Sequence, residues 1–175
     1  VALIVDALSD PLIGYLSDNT RSRWGRRHPF MYAAALPAAI AYYFVWNPPS
    51  GLEGDALFPY IVTIAVLVRT LVTVYEIPSS SLVAEMSDDY DERTSMLSYR
   101  YFFGWTGGTL MGAFATIFIL VPTATISNGM FNVEGHGQVG AIAAMVIFMA
   151  MMVSSMGTHK TVSYTHLTLP TSTHG

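Results

Sequence analysis

The chain has no cysteine in 175 residues, so disulfides and thiolate metal sites are both excluded. Charge is scarce as well: Asp, Glu, Lys and Arg make up 11% of the residues, against roughly 25% in an ordinary soluble domain. No Gly-rich phosphate loop, H-E-x-x-H spacing or nucleophile–base grouping is present, which leaves no enzyme class indicated. No basic segment precedes the first apolar run, and no repeat of roughly 20–50 residues marks a solenoid. The one basic cluster, "TRSRWGRR", is too short and too close to apolar runs to suggest nucleic acid, and anionic lipid headgroups account for it.

What is present is apolar. Hydrophobic residues make up 52% of the chain, gathered into runs close to the roughly 20 residues needed to cross a bilayer. The composition predicts an all-α, multi-pass membrane protein with helices over about 1–17, 29–46, 59–86, 96–121 and 141–157. "NTRSRWGRRH" and "SDDYDERT" carry the loop arginines, whereas "NPPSGLEGDALF" and "TATISNGMFNVEGHGQ" have none, so the first pair is expected to face the cytoplasm. The chain opens at Val1 inside an apolar run, and residues 1–160 are expected to be an internal piece of a longer bundle. From 161 to 175 the apolar pattern gives way to a Thr-rich stretch. "VSYTHLTLPT" resembles the translation of a transposase sequencing adapter, so a non-native or disordered tail without function is expected there, His166 and His174 included.

Against this background the charged residues inside apolar runs stand out. "IVDALSDPLIG" places Asp6 and Asp10 four residues apart, on one helical face. Each carboxylate costs about 3 kcal/mol at the bilayer centre on insertion scales. Two so close in low dielectric cannot both ionise cheaply, and a bound Na⁺ or a shared proton relieves the conflict. Ser9 offers a nearby hydroxyl. The alternative is purely structural pairing with basic residues of other helices. In the third span Arg69, Thr73, Glu76 and Ser80 form one polar stripe, and Pro78 frees a backbone carbonyl beside it. Polar groups beside freed backbone are the makings of a transporter binding site; an Arg69–Glu76 pair that neutralises itself is the plainer alternative. Gly104, Gly108 and Gly112 have the spacing of a helix-packing stripe. Arg100 can reach headgroups or a cavity. His28, His136 and His159 are expected to be solvated at loops and span ends. Asp18 with Arg21, Arg23, Arg26 and Arg27 is expected to form a cytoplasmic latch, the alternative being simple marking of topology by positive charge.

"DALSDPLIGYLSDNTRSRWGRRHPF" resembles the end of helix II and the following loop of the glycoside–pentoside–hexuronide:cation symporters. These are melibiose permease-like members of the major facilitator superfamily. "YEIPSSSLVAEMSDDYDERTSMLSYRYFFGWTGG" is similar to the helix IV, loop and helix V region of the same family. The resemblance implies a partial N-terminal bundle, five of twelve helices, with helices I and VII to XII elsewhere in the polypeptide. It implies that Asp6 and Asp10 are cation-site carboxylates, metal ligands only if the ion is Na⁺, and that Thr73 supplies a hydroxyl to the same cation. Glu76 takes the place of an acid that binds sugar hydroxyls. Arg69, Ser80 and Arg100 are grouped with it as solute-binding candidates, although Ser80 replaces a sugar-stacking tryptophan, Arg69 has no counterpart and Arg100 lies one position from the family's arginine. The function implied is symport of a sugar-like solute with Na⁺ or H⁺ and no cofactor, in a bacterial inner membrane. A lysolipid symporter of the same branch and a non-transporting sensor or scaffold are the alternatives.

Overall fold

The computed structural model describes residues 2–123 and 126–165. Among them all regular structure is helical: α1 Ala2–Asn19, α2 His28–Trp46, α3 Leu57–Met86, α4 Tyr90–Phe114 and α5 Val133–Thr165. A π-helical stretch, Ala115–Ile119, closes α4, and single 3-10 turns, Gly54–Ala56 and Gly129–Phe131, lead into α3 and α5.

Three boundaries differ from those expected, each for a local reason. The fourth helix begins at Tyr90 rather than near 96, because the Asp89 carboxylate accepts hydrogen bonds from the backbone of Asp91 and Glu92. Asp91 and Glu92 then suit the positive end of the helix. The fifth helix begins at Val133 rather than near 141, where Asn132 Oδ1 accepts the Gly135 N–H at 3.0 Å. It also runs past Lys160 to Thr165, into the stretch read as a tail. No Gly or Pro interrupts residues 158–165, and extending a formed helix costs far less than starting one. The rest of that stretch, 166–175, lies outside the described residues.

Hydrogen bonds at the helix ends set the relative directions. The start of α2 meets the end of α3 through Arg27 and Glu85. The Tyr60 hydroxyl near the start of α3 donates to the Phe44 carbonyl near the end of α2 at 2.8 Å. Asn47, just past α2, donates to the Gly137 carbonyl in the first turns of α5, and His28 meets Thr158 at the opposite end. Arg93 of α4 reaches back to the Ala84 carbonyl of α3. Helices α1, α3 and α5 therefore run one way and α2 and α4 the other. This gathers Arg21, Arg23, Arg26, Arg27 and Arg93 at one end, as the loop charges predict.

Helix α2 is the hub, packed along both α3 and α5. Its buried face is nearly all alanine (Ala34, Ala35, Ala38, Ala39 and Ala41), which lets neighbouring backbones come close. Ala35 and Ala38 meet Met151 of α5, with Leu71, Val72, Tyr75, Ile147 and Phe148 packed around them. At Gly140 α5 comes especially close to the end of α2: a Cβ added there would lie 2.3 Å from Trp46 Cβ. Helix α1 packs on α3, whereas α4 has no buried residue and leaves Tyr99, Tyr101, Phe102, Phe103 and Trp105 exposed. Among the described residues, four helical stretches are long and apolar enough to cross a membrane: His28–Trp46, Gly54–Met86, Tyr90–Ile119 and Val133–His159. Helix α1 is outside that group, carrying three aspartates (Asp6, Asp10 and Asp18) within its 18 residues.

Candidate cation and solute site

Asp6 does not stand free. Arg69 of α3 grips it with a guanidinium fork, Nε donating to Oδ1 at 3.0 Å and Oδ2 at 3.1 Å and Nη2 donating to Oδ2 at 2.9 Å. A planar two-pronged contact of this kind is the strong form of an arginine–carboxylate pair. Arg69 therefore faces the aspartates, not the groove beside Glu76, and neither the solute-binding grouping nor the self-neutralising Arg69–Glu76 pair describes its position. Ser9 donates its hydroxyl to the Asp6 carbonyl at 3.5 Å and so serves its own helix.

The fork also gives the register of α1 on α3. Asp6 and Arg69 are 63 residues apart, and so are Gly14 and Ile77, whose Cγ2 lies 3.8 Å from where a Cβ on Gly14 would be. Equal offsets on parallel helices place Asp10 level with Thr73, the residue 63 further on. Thr73 is 5% exposed and its hydroxyl makes no hydrogen bond among the described residues; no side-chain oxygen there is both fully enclosed and unpartnered, so the hydroxyl keeps an opening to its surroundings. The Asp10 carboxylate, half-buried, likewise has no hydrogen bond or ion pair among them. Ser17 and Ser155, the other buried hydroxyls, both donate to carbonyls of their own helices. Thr73 and Asp10 are thus two uncommitted oxygen donors at one depth, one turn from a committed aspartate.

Glu76 and Arg100 meet across α3 and α4 at 3.7 Å. They line an open groove of about 540 Å³ with Tyr101, Gly104, Trp105, Gly108 and Thr109. Two sequence expectations change here. The glycine stripe is not a packing seam among the described residues: nothing lies within 4 Å of a Cβ built on Gly104, Gly108 or Gly112, and two of these glycines form the groove floor. Ser80 donates its hydroxyl to the Glu76 carbonyl at 2.7 Å, so it steadies α3 rather than presenting its proton to the groove.

The basic end holds a second network. Arg27 bridges Asp18, Nη2 to Oδ1 at 2.9 Å, and Glu85, Nε to Oε1 at 2.8 Å; Arg26 adds a contact to the same Glu85 oxygen at 2.9 Å. Asp18, Arg26 and Arg27 come together, while Arg23 lies over the Trp24 ring at 5.5 Å and Arg21 makes no ion pair among the described residues. Glu85 escaped sequence reasoning. Its signal was an acid in the last turn of a helix, where the macrodipole disfavours it unless a cation is near. Nor is His28 solvated, and His136 and His159 are only partly so. His28 is buried, with Nε2 at 3.3 Å from Thr158 Oγ1 and its ring 4.6 Å from that of His159. His136 stacks on Trp46 at 5.9 Å. Small α2 residues bring these ends together, a proximity no loop composition signals.

A family model described as MFS/sugar transport protein matches residues 1–173. An uncharacterised symporter from Synechocystis is 32% identical over 161 residues, 89% of this chain and 28% of that protein. The isoprimeverose transporter of Lactiplantibacillus pentosus is 28% identical over 93% of this chain and 34% of its own length. The mouse sodium-dependent lysophosphatidylcholine symporter 1 is 35% identical, over 54% of this chain and 18% of its length. The chain spans about a third of the curated relatives matched over most of it. The relatives are transporters, and four helices suited to a bilayer make this an integral multi-pass membrane protein.

Proposed function

This chain belongs to the MFS/sugar transport protein family, and from that premise we propose that it is part of a cation-coupled symporter for a sugar-like solute. The coupling ion, Na⁺ or H⁺, sits at the level of Asp10 and Thr73, and Glu76 with Arg100 holds solute hydroxyls in the adjoining groove. The observation that carries this reading is the pair of uncommitted oxygens, Asp10 and Thr73, side by side in level on parallel helices. A lone carboxylate in low dielectric is tolerated only when something neutralises it, and in a symporter that something is the ion that the gradient supplies. The solute groove begins on the same helix one turn beyond Thr73, so ion and solute share α3. Aromatic faces at Tyr101 and Trp105 suit the apolar faces of a sugar ring, and the Glu76–Arg100 pair suits its hydroxyls. The longer protein would complete the site with further helices and rock one bundle against the other. A bacterial inner membrane is the proposed location, in line with bacterial relatives matched over 89% and 93% of the chain.

The lysolipid reading draws on the mouse relative, whose match covers 54% of this chain. Sugar is preferred because the relative named for a sugar matches over 93%. The test is uptake of labelled glycosides and of a labelled lysolipid by the full-length protein under imposed Na⁺ or pH gradients, with Asp10→Asn as the control. Gradient-driven glycoside uptake that Asp10→Asn abolishes is the expected result. Lysolipid uptake alone would replace the solute; an Asp10→Asn protein that still answers fully to both gradients would remove the cation site.

A further inference from the structure

We infer that Arg69 is a built-in counter-ion that permanently occupies Asp6, leaving Asp10 as the single carboxylate that the coupling cation must neutralise. The inference rests on the cation-site reading above and deepens it.

Three carboxylates lie near one another on α1 and α3: Asp6 and Asp10 on α1 beside α3, and Glu76 on the side of α3 that meets α4. Two already have a cationic partner within the protein, Asp6 in the Arg69 fork and Glu76 in the contact with Arg100. Asp10 makes no hydrogen bond or ion pair with a cation among the described residues, and the Arg69 charge held by Asp6 acts on it only at longer range. Counting charges, three negative and two positive groups leave a net charge of minus one, which calls for one monovalent cation. The Asp6 side chain is 14% exposed against 54% for Glu76, so its charge is better shielded from water and more in need of a fixed partner, although the Arg69 side chain that meets it is itself 55% exposed. A guanidinium cannot lose its proton under physiological conditions, so the Asp6 compensation does not vary with pH or with an ion gradient. The planar fork makes three contacts of 2.9–3.1 Å, a geometry lysine cannot reproduce. All the variable compensation therefore falls on Asp10, one turn away and level with the uncommitted Thr73 hydroxyl. Asp6 positions Arg69 and sets the local charge; it does not ligate the ion.

The inference predicts an unusual order among variants. Removing Asp6 alone frees the Arg69 charge to swing onto Asp10, where it displaces the ion. Removing both partners takes away a neutral pair and leaves Asp10 as before. The experiment is uptake of a labelled glycoside panel by the full-length protein in vesicles, driven by whichever gradient, Na⁺ or pH, drives the wild type. Expression and melting temperature are recorded for every variant. Gradient-driven uptake is expected to collapse in Asp6→Asn and to recover by roughly tenfold or more in Asp6→Asn/Arg69→Gln. Arg69→Gln alone exposes a second carboxylate and is expected to tighten the apparent cation affinity by roughly tenfold or more, with a steeper dependence on cation concentration. A double variant as inactive as Asp6→Asn, at normal membrane levels, would show that Asp6 itself binds the ion and would overturn the inference. So would an Arg69→Gln protein with unchanged cation dependence, which keeps the test open if the double variant fails to insert. Loss of coupling in Asp10→Asn alongside either overturning result leaves the cation site standing and removes only the role of Arg69.

Discussion

Glu85 offers the sharpest test of the basic end, because one oxygen takes two arginines of different burial. Arg27 Nε and Arg26 Nη2 donate to Glu85 Oε1 at 2.8 and 2.9 Å, so distance does not separate them. Solvent does: the Arg27 side chain is 11% exposed and the Arg26 side chain 55%. An exposed ion pair contributes about 0–1 kcal/mol, whereas a charge-assisted hydrogen bond shielded from water contributes about 1.5–3 kcal/mol. The cycle pairing Arg27→Gln with Glu85→Gln should therefore return a coupling energy of about 1.5–3 kcal/mol, and the Arg26 cycle less than about 1 kcal/mol. The Arg27–Asp18 contact should also couple weakly, since Asp18 is 53% exposed. The assay is unfolding of the full-length protein in mild detergent, followed by tryptophan fluorescence. Salt supplies an internal control. Between about 0.1 M and about 1 M the screening length falls from ~10 to ~3 Å, so the Arg26 coupling should fade while that of Arg27 persists. Equal couplings for the two arginines, or equal loss of both in salt, would refute the reasoning from burial.

Other substitutions follow from the packing and the groove. Gly140→Ala should destabilise the full-length protein by about 1–3 kcal/mol, because its Cβ would lie 2.3 Å from Trp46 Cβ; an unchanged melting temperature would mean that α2 and α5 are less closely packed. Gly108→Ala should keep or raise the melting temperature and weaken solute binding, since its Cβ points into open groove; a lowered melting temperature would restore the packing role expected of the stripe. Glu76→Gln should weaken glycoside binding roughly tenfold or more while leaving the cation dependence of the remaining uptake in place. Binding measured at wild-type strength would take Glu76 out of the solute site.

The five-helix, all-α character and the alternating directions of the helices are legible in the amino-acid sequence alone. Both follow from local properties: apolar runs long enough to span a bilayer, and arginines confined to alternate loops. The polar positions of the candidate site are equally legible as positions, since Asp6, Asp10, Arg69, Thr73, Glu76 and Arg100 interrupt runs otherwise suited to lipid. Helix ends are less so, because the Asp89 and Asn132 caps that extend α4 and α5 lie in stretches whose composition resembles loop. Only the tertiary structure decided which polar group each one meets. Arg69 shares one helical stripe with Glu76 in sequence yet binds Asp6, 63 residues away, and Glu76 turns instead to Arg100. The approach of the buried His28 ring to the tilted His159 ring is of the same kind. Backbone hydrogen bonds within a helix are made between near neighbours and leave a periodic trace in the chain. Pairings between helices depend on relative rotation and register, and these are set where the small residues of α2 let α3 and α5 close around it.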